Sequence, residues 1–164
     1  MRDKGDHRTI RLGILRQIPA ELSPWHSHDE QGDIDFYTFA GDRKVHLAEP
    51  DIVIVRGNEI LSIEIELSNQ PKHILGVAFA NWMASRGAYK GQVLNLDRRS
   101  LLIVVPRKAN ESGSRRVSGK PMQFDEVKNA IRAKLGFVLL DIIAPDETEA
   151  AISDWLRGKA VPRK

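Results

Sequence analysis

Three acidic residues in the first half of the chain have the types and spacing that metal-assisted chemistry requires. Asp51 begins an apolar segment, and Glu64 and Glu66 lie in a second apolar segment after the turn Gly57-Asn58. Because successive side chains of a strand point to opposite faces, Glu64 and Glu66 share one face of the predicted strand. Pairing of the two segments across the turn brings Asp51 close to both glutamates. The sequence therefore predicts a cluster of three carboxylates.

Such a cluster needs a cation or a proton. Two unit charges about 4 Å apart repel by roughly 4 kcal/mol at an effective dielectric constant near 20. Carboxylate oxygens are hard ligands that suit Mg²⁺ or Mn²⁺, and such an ion activates water and stabilises the charge that develops on a phosphate. We therefore expect Mg²⁺ or Mn²⁺ as the cofactor and phosphodiester hydrolysis as the reaction.

Pro50-Asp51, the hairpin and Glu64 together resemble the signature of the PD-(D/E)xK nuclease superfamily. In that signature a Pro-Asp at the start of one strand is followed, one hairpin later, by an acidic residue, any residue and a lysine. Glu66 stands where the family usually has lysine, and Glu-Ile-Glu resembles the E-x-E variant of some restriction endonucleases in the superfamily. Lys72, in the first turn of the next predicted helix, is the candidate for the missing positive charge.

The resemblance implies a metal-dependent endonuclease that hydrolyses DNA. It makes Asp51 and Glu64 metal ligands, Glu66 a ligand or the general base for the attacking water, and Lys72 the group that orients this water or contacts the phosphate. The alternative is a catalytically inactive protein of the same fold that binds nucleic acid or a protein partner, and the missing lysine motivates it. A third possibility is an accessory subunit whose sequence-reading domain is supplied by another chain.

An ordinary structural role also accounts for the two glutamates. On a solvated strand face, Glu64 and Glu66 would simply pair with lysine or arginine. However, the strand runs directly into a strongly apolar helix, which favours a central strand covered on both faces.

Apolar periodicity defines the elements that must position these residues. It predicts the order αβββαβαβα and hence an α/β fold, a single domain over 1–164 with a central mixed β-sheet flanked by helices. The resemblance specifies a restriction endonuclease-like αβββαβ core over about 8–143. The predicted strands are 33–40, 45–55, 60–67, 101–105 and 137–143. The predicted helices are 8–22, interrupted or ended around Pro19, then from 71 to the glycines Gly87 and Gly91, 124–135 and from 146 onward, before a frayed tail at 157–164.

The composition limits the classes of function. A chain of 164 residues with 41% hydrophobic residues can bury one core, and the absence of cysteine excludes disulfides, zinc–thiolate sites and thiol catalysis. Neither a membrane span nor the apolar block of a signal peptide is visible, so we expect a cytoplasmic protein without a membrane partner.

A mild basic bias, 25 Lys and Arg against 22 Asp and Glu, is compatible with DNA as a partner. Segment 106–121 is predicted to be a basic loop, and a homodimer is expected because cutting both strands of a duplex calls for two sites. Scattered surface charge explains the basic residues equally well. The candidate phosphate contacts are Arg98, Arg99, Arg107, Lys108, Arg115, Arg116 and Lys120.

Overall fold

The fold is taken from a computed structural model, which describes residues 2–26, 33–68, 70–106, 116–117, 120–121 and 124–158. The helices are α1 (Arg2–Leu15), α2 (Pro71–Met83), α3 (Phe124–Lys134) and α4 (Thr148–Leu156), with 3₁₀ turns at Ala20–Leu22 and Pro145–Glu147. The strands are β1 (Trp25–His26), β2 (Ile34–Ala40), β3 (Arg43–Ala48), β4 (Ile52–Arg56), β5 (Glu59–Ile65), β6 (Arg86–Tyr89), β7 (Gln92–Asn95), β8 (Arg99–Val104), β9 (Arg116–Val117), β10 (Lys120–Pro121) and β11 (Leu139–Ile143).

A mixed five-stranded sheet in the order β1-β4-β5-β8-β11 forms the centre of the domain. Strands β5, β8 and β11 run parallel, whereas β4 is antiparallel to both β1 and β5. This arrangement confirms the predicted α/β domain with a mixed central sheet and flanking helices. A second, four-stranded antiparallel sheet in the order β3-β2-β6-β7 was not predicted, and β9 pairs with β10.

Side-chain alternation along β5 explains how the layers pack. Leu61, Ile63 and Ile65 belong to the apolar cluster that includes Ile14 of α1 and Ile152 of α4, so the predicted apolar face of this strand is confirmed. On the other side of the sheet, α2 and α3 pack against β8 and β11. A third cluster fills the space between the two sheets. The central strands are thus covered on both faces, as the apolar run 101–105 predicted.

The predicted strand 45–55 is wrong, because it is two strands in two different sheets. Strand β3 ends at Ala48 and β4 begins at Ile52. The break lies at Glu49-Pro50, and proline has no N–H to donate to a strand ladder. The break leaves Asp51 at the start of β4, at the edge of the central sheet.

Two further boundaries differ from the prediction. The first helix begins at Arg2 instead of 8, and it ends at Leu15, before the break that was expected around Pro19. Helix α2 ends at Met83, and Gly87 and Gly91 belong to the β6–β7 hairpin that follows it. Strands of only four residues with mixed composition give little periodic signal.

The predicted basic loop 106–121 contains the short β9–β10 pair where it is described. In the described part of the chain, no helix combines the length and apolar character needed to cross a bilayer.

Candidate functional site

The acidic residues lie at the edge of the central sheet where the parallel strands have their carboxyl ends. Glu64 is the penultimate residue of β5, and the backbone N–H of Glu66 continues the pairing by donating to the carbonyl of Val104 at 3.0 Å. In open α/β sheets, ligands bind outside the carboxyl ends of the strands. The position in the sheet is therefore one where a functional site is expected.

Asp51 is fixed against the end of β5. Its neighbour Ile52 pairs with Ile63, so the register continued by one residue places Asp51 opposite Glu64. The Oδ2 atom of Asp51 accepts a hydrogen bond from the backbone N–H of Ile65 at 2.8 Å. This N–H belongs to the residue between Glu64 and Glu66, which brings the Asp51 carboxylate to the peptide that links the two glutamates.

A histidine from α1 completes the fixation of Asp51. The Nε2 atom of His7 lies 3.0 Å from Oδ1 of Asp51, and the exposed fractions of the two side chains are 30% and 13%. The two oxygens of Asp51 thus contact two different elements, β5 and α1.

Glu64 points toward α2, on the side of the sheet opposite to the apolar face of β5. Its Oε1 atom accepts a hydrogen bond from Nδ2 of Asn81 at 2.7 Å. Burial raises the pKa of Glu64 to about 8; the Asn81 hydrogen bond opposes the rise, and the negative charges of Asp51, Glu66 and Glu49 add to it. The carboxylates at this edge are therefore close enough to repel one another.

Glu66 follows directly after β5. Its Oε1 atom accepts a hydrogen bond from the backbone N–H of Ser68 at 2.7 Å, which leaves Oε2 for another partner.

Lys72 is exposed in the first turn of α2. Within the described residues, no ion pair joins Lys72 to Asp51, Glu64 or Glu66.

The three carboxylates are the type of ligand that a hard divalent cation prefers, but each accepts a hydrogen bond from a donor of the protein. Among the residues that the structure describes, no group of three or more His, Asp or Glu side chains is arranged to hold a metal ion. Asp51 is engaged by Ile65 N–H and His7 Nε2, Glu64 by Asn81 Nδ2 and Glu66 by Ser68 N–H. The fit lies in the donor types, hard oxygens with an excess of negative charge, and Asp51 and Glu66 would have to turn toward Glu64 to share a cation with it.

Two of the predicted phosphate contacts lie at the other edge of the central sheet. Arg98 pairs with Glu59, at the start of β5, with a distance of 3.1 Å between Nη2 and Oε1. Arg99 donates from Nη1 to the carbonyl of Asn81 at 2.7 Å and to the carbonyl of Ala84. The structure therefore does not bring Arg98 and Arg99 to the acidic residues. Arg99 instead hydrogen-bonds backbone carbonyls at the end of α2.

The other basic candidates cannot be placed relative to the acidic residues. Arg107, Lys108 and Arg115 lie outside the described residues. Arg116 and Lys120 are described only as backbone, in β9 and β10.

His7, Glu49 and Asn81 did not emerge from the sequence as site residues. His7 precedes the predicted start of the first helix, so nothing placed it on a rigid element. Glu49 lies two residues before Asp51, inside the predicted continuous strand 45–55. Asn81 left a detectable signal, because it is a polar residue on the buried stripe of α2 that includes Ile74 and Ala78.

Comparison of the chain with protein-family models gives no match, and no curated protein matches it. Among solved structures, the chain is similar to the crystal structure of protein VC1899 from Vibrio cholerae, with 17% sequence identity and a TM-score of 0.40. The similarity covers 74% of this chain and 26% of that chain. This chain thus spans about a quarter of the length of that protein.

Proposed function

We propose that this protein is a metal-dependent endonuclease that hydrolyses DNA phosphodiester bonds. In this proposal Asp51 and Glu64 hold Mg²⁺ or Mn²⁺, and Glu66 is a further ligand or the general base. The observation that carries the proposal is the hydrogen bond from Ile65 N–H to Asp51, because it brings the Asp51 carboxylate to the peptide between the two glutamates. The raised pKa of Glu64 supports it, since like charges contribute to the rise.

The proposed roles follow from the contacts of each carboxylate. A bound Mg²⁺ or Mn²⁺ would lower the pKa of water and stabilise negative charge on the scissile phosphate. Asp51 keeps its place through Ile65 N–H and His7. Glu66 keeps Oε1 on Ser68 N–H, so its Oε2 atom can take the proton of the attacking water as the new P–O bond forms. The ester P–O bond breaks in the same step, and the departing sugar oxygen takes a proton from solvent water.

Contacts with DNA are also part of the proposal. Lys72 is exposed at the start of α2, six residues after Glu66 in the chain, and it would orient the water or contact the phosphate. The basic residues of 106–121 would contact phosphates elsewhere along the duplex. A homodimer would supply the two sites that cleavage of both strands calls for.

The second candidate function is a catalytically inactive protein of the same fold that binds nucleic acid or a protein partner. The observation that favours it is Glu66 in the position of the usual lysine, together with an exposed Lys72 that has no ion pair with the three carboxylates in the described part of the chain.

Cleavage assays distinguish the two candidates. Purified protein is incubated with plasmid and linear DNA in Mg²⁺, in Mn²⁺ and in EDTA, and DNA binding is followed separately by gel shift in EDTA. We expect cleavage only with a metal ion, and a loss of at least about 100-fold in Glu64→Gln. The matched control is Asp42→Asn, which neutralises an exposed acid in the β2–β3 turn and should keep full activity. Gel shifts without cleavage in any metal would favour the inactive binding protein.

A further inference from the structure

We propose that Asn81 is a positioning residue that holds the Glu64 carboxyl in the orientation needed to bind a metal ion. This inference rests on the proposed function and assigns Asn81 of α2 a role that it exerts through Glu64. Three observations carry it: the burial of Asn81, the fixed orientation of its amide, and the attachment of its backbone to β8.

The burial of Asn81 is costly unless its polar atoms are bonded. Its exposed fraction is 1%, and it lies on the same face of α2 as Ile74 and Ala78, which are both fully buried. A buried side-chain amide without hydrogen bonds destabilises the folded state, because it loses its bonds to water and gains none in return. An apolar residue would satisfy the packing of this helix on the sheet, so packing alone does not account for an asparagine.

The carbonyl of Val77 fixes which way the amide points. Nδ2 donates to this carbonyl at 3.1 Å, and a carbonyl can only accept. On the other side of the amide, Oδ1 lies 3.3 Å from Ser62 Oγ, whose hydroxyl is also 3.3 Å from the carbonyl of Ser100. A flipped amide would set Oδ1 against the Val77 carbonyl. The N–H that faces Glu64 is therefore the orientation imposed by the surroundings.

Helix α2 is attached to the central sheet at Asn81. Arg99 of β8 donates from Nη1 to the backbone carbonyls of Asn81 and Ala84. Strand β8 is also the parallel partner of β5, with Glu64 opposite Ile103. The Asn81 amide on α2 and the Glu64 carboxyl on β5 are thus both held by β8, which fixes the distance between them.

The result is an asymmetric Glu64 carboxyl. Oε1 is held by Asn81 at 2.7 Å, and the other oxygen, Oε2, is the one that would bind a metal ion shared with Asp51. In metal sites, partners that orient a ligand matter strongly, and their removal typically costs about 10–100-fold in metal affinity or activity. We expect a loss in this range when the Asn81 amide is removed.

The test compares Asn81→Leu, which removes the donor but keeps a similar volume, with the control Asn95→Leu at an exposed position of β7. Mn²⁺ affinity is measured from the rise in melting temperature with Mn²⁺ concentration, and kcat and KM are measured on DNA. We expect Asn81→Leu to weaken Mn²⁺ binding by about 10–100-fold and to lower kcat with little change in KM. Asn95→Leu should match the parent protein.

A purely structural role for Asn81 predicts a different result. Asn81→Leu would then lower the melting temperature in EDTA but leave the Mn²⁺-dependent rise and kcat unchanged, which would overturn the inference. If Asn81→Leu does not fold, Asn81→Ser keeps a small polar side chain but takes the amide donor away from Glu64, and it should also weaken Mn²⁺ binding; unchanged binding again overturns the inference. A parent protein with neither a Mn²⁺-dependent rise nor cleavage would end the proposed function and this inference together.

Discussion

Glu64 has an environment that opposes its charge. The side chain is partly buried on the α2 side of β5, its hydrogen-bond donor is a neutral amide, and its charged neighbours are other carboxylates. Burial and like charges both favour the protonated form, whereas the donor from Asn81 favours the charged form. A divalent cation would reverse the balance, which links metal binding to the charge of this residue.

The raised pKa of Glu64 predicts how stability depends on pH in metal-free buffer. Below the ordinary pKa of 4.5 the carboxyl is protonated in the folded and unfolded chains alike, and it makes no difference. Between that value and about 8 the folded chain keeps a proton that the unfolded chain releases, so the free energy of unfolding falls as pH rises and levels off above the folded pKa.

Glu64→Gln removes this titration and keeps an acceptor for Asn81. We expect the melting temperature of the parent protein in EDTA to fall more steeply between about pH 5 and about pH 9 than that of Glu64→Gln. Thermal unfolding followed by circular dichroism measures both curves. Parallel curves would show that Glu64 does not titrate in this range.

His7 is expected to hold Asp51 in place for metal binding. His7→Ala removes one of the two contacts that fix the Asp51 carboxylate, so Mn²⁺ affinity should fall by about 10-fold or more. Calorimetric titration with Mn²⁺ measures the change. His46→Ala, on the second sheet at an exposed position, is the matched control. Equal affinities in the two variants would exclude a role for His7.

At the scale of elements, strand alternation was the most informative signal in the sequence. It correctly predicted that Leu61, Ile63 and Ile65 face one apolar layer and that Glu64 faces the other side. The second sheet was not predictable in the same way. Its partners are far apart in the chain, as in the pairing of Phe36 with Gly87, and local periodicity contains no information on such contacts.

The site was predictable only in part, because local periodicity contains no information on contacts between distant parts of the chain. Asp51, Glu64 and Glu66 belong to one hairpin, so their proximity follows from short-range pairing. His7 and Asn81 come from helices that reach the hairpin through tertiary packing. Arg99 was grouped with phosphate contacts because its charge is visible in the sequence, while the backbone carbonyls that it binds are not.

Gly87 allows β6 to pack closely against β2. A Cβ atom at this position would lie 2.9 Å from Cε1 of Phe36, whose exposed fraction is 1%. Gly87→Ala should therefore destabilise the protein by about 1–3 kcal/mol. Gly76→Ala in α2 is the control, since nothing lies within 4 Å of the added Cβ, and it should stabilise the helix by about 0.5–1 kcal/mol. Urea unfolding measures both changes, and similar values for the two variants would contradict the close packing.

Arg99 is expected to matter for stability and Arg98 is not. Arg99→Gln leaves the carbonyls of Asn81 and Ala84 at the end of α2 without their donor, so we expect a loss of about 1–3 kcal/mol. Arg98→Gln removes an exposed ion pair with Glu59 and should change stability by less than about 1 kcal/mol. Denaturant titration gives both values. A loss of DNA binding in Arg99→Gln with unchanged stability would restore its role as a phosphate contact.

At the scale of the whole molecule, the helices and the second sheet cover the faces of the central sheet and leave the carboxyl edge to the acidic residues. Helices α1 and α4 lie over one face, α2 and α3 over the other, and β2, β3, β6 and β7 pack over the β4 side. The carboxylates at this edge are held by elements from both faces, α1 through His7 and α2 through Asn81. Stability and the proposed chemistry therefore depend on the same contacts.

A crystal structure of the protein soaked in Mn²⁺, with an anomalous difference map, tests the proposed metal site most directly. We expect a Mn²⁺ peak bound by carboxylate oxygens of Asp51 and Glu64, at about 2.0–2.6 Å, while Asn81 keeps its hydrogen bond to Glu64. A map without a peak between Asp51 and Glu64 at saturating Mn²⁺, in crystals with this edge open to solvent, would contradict it.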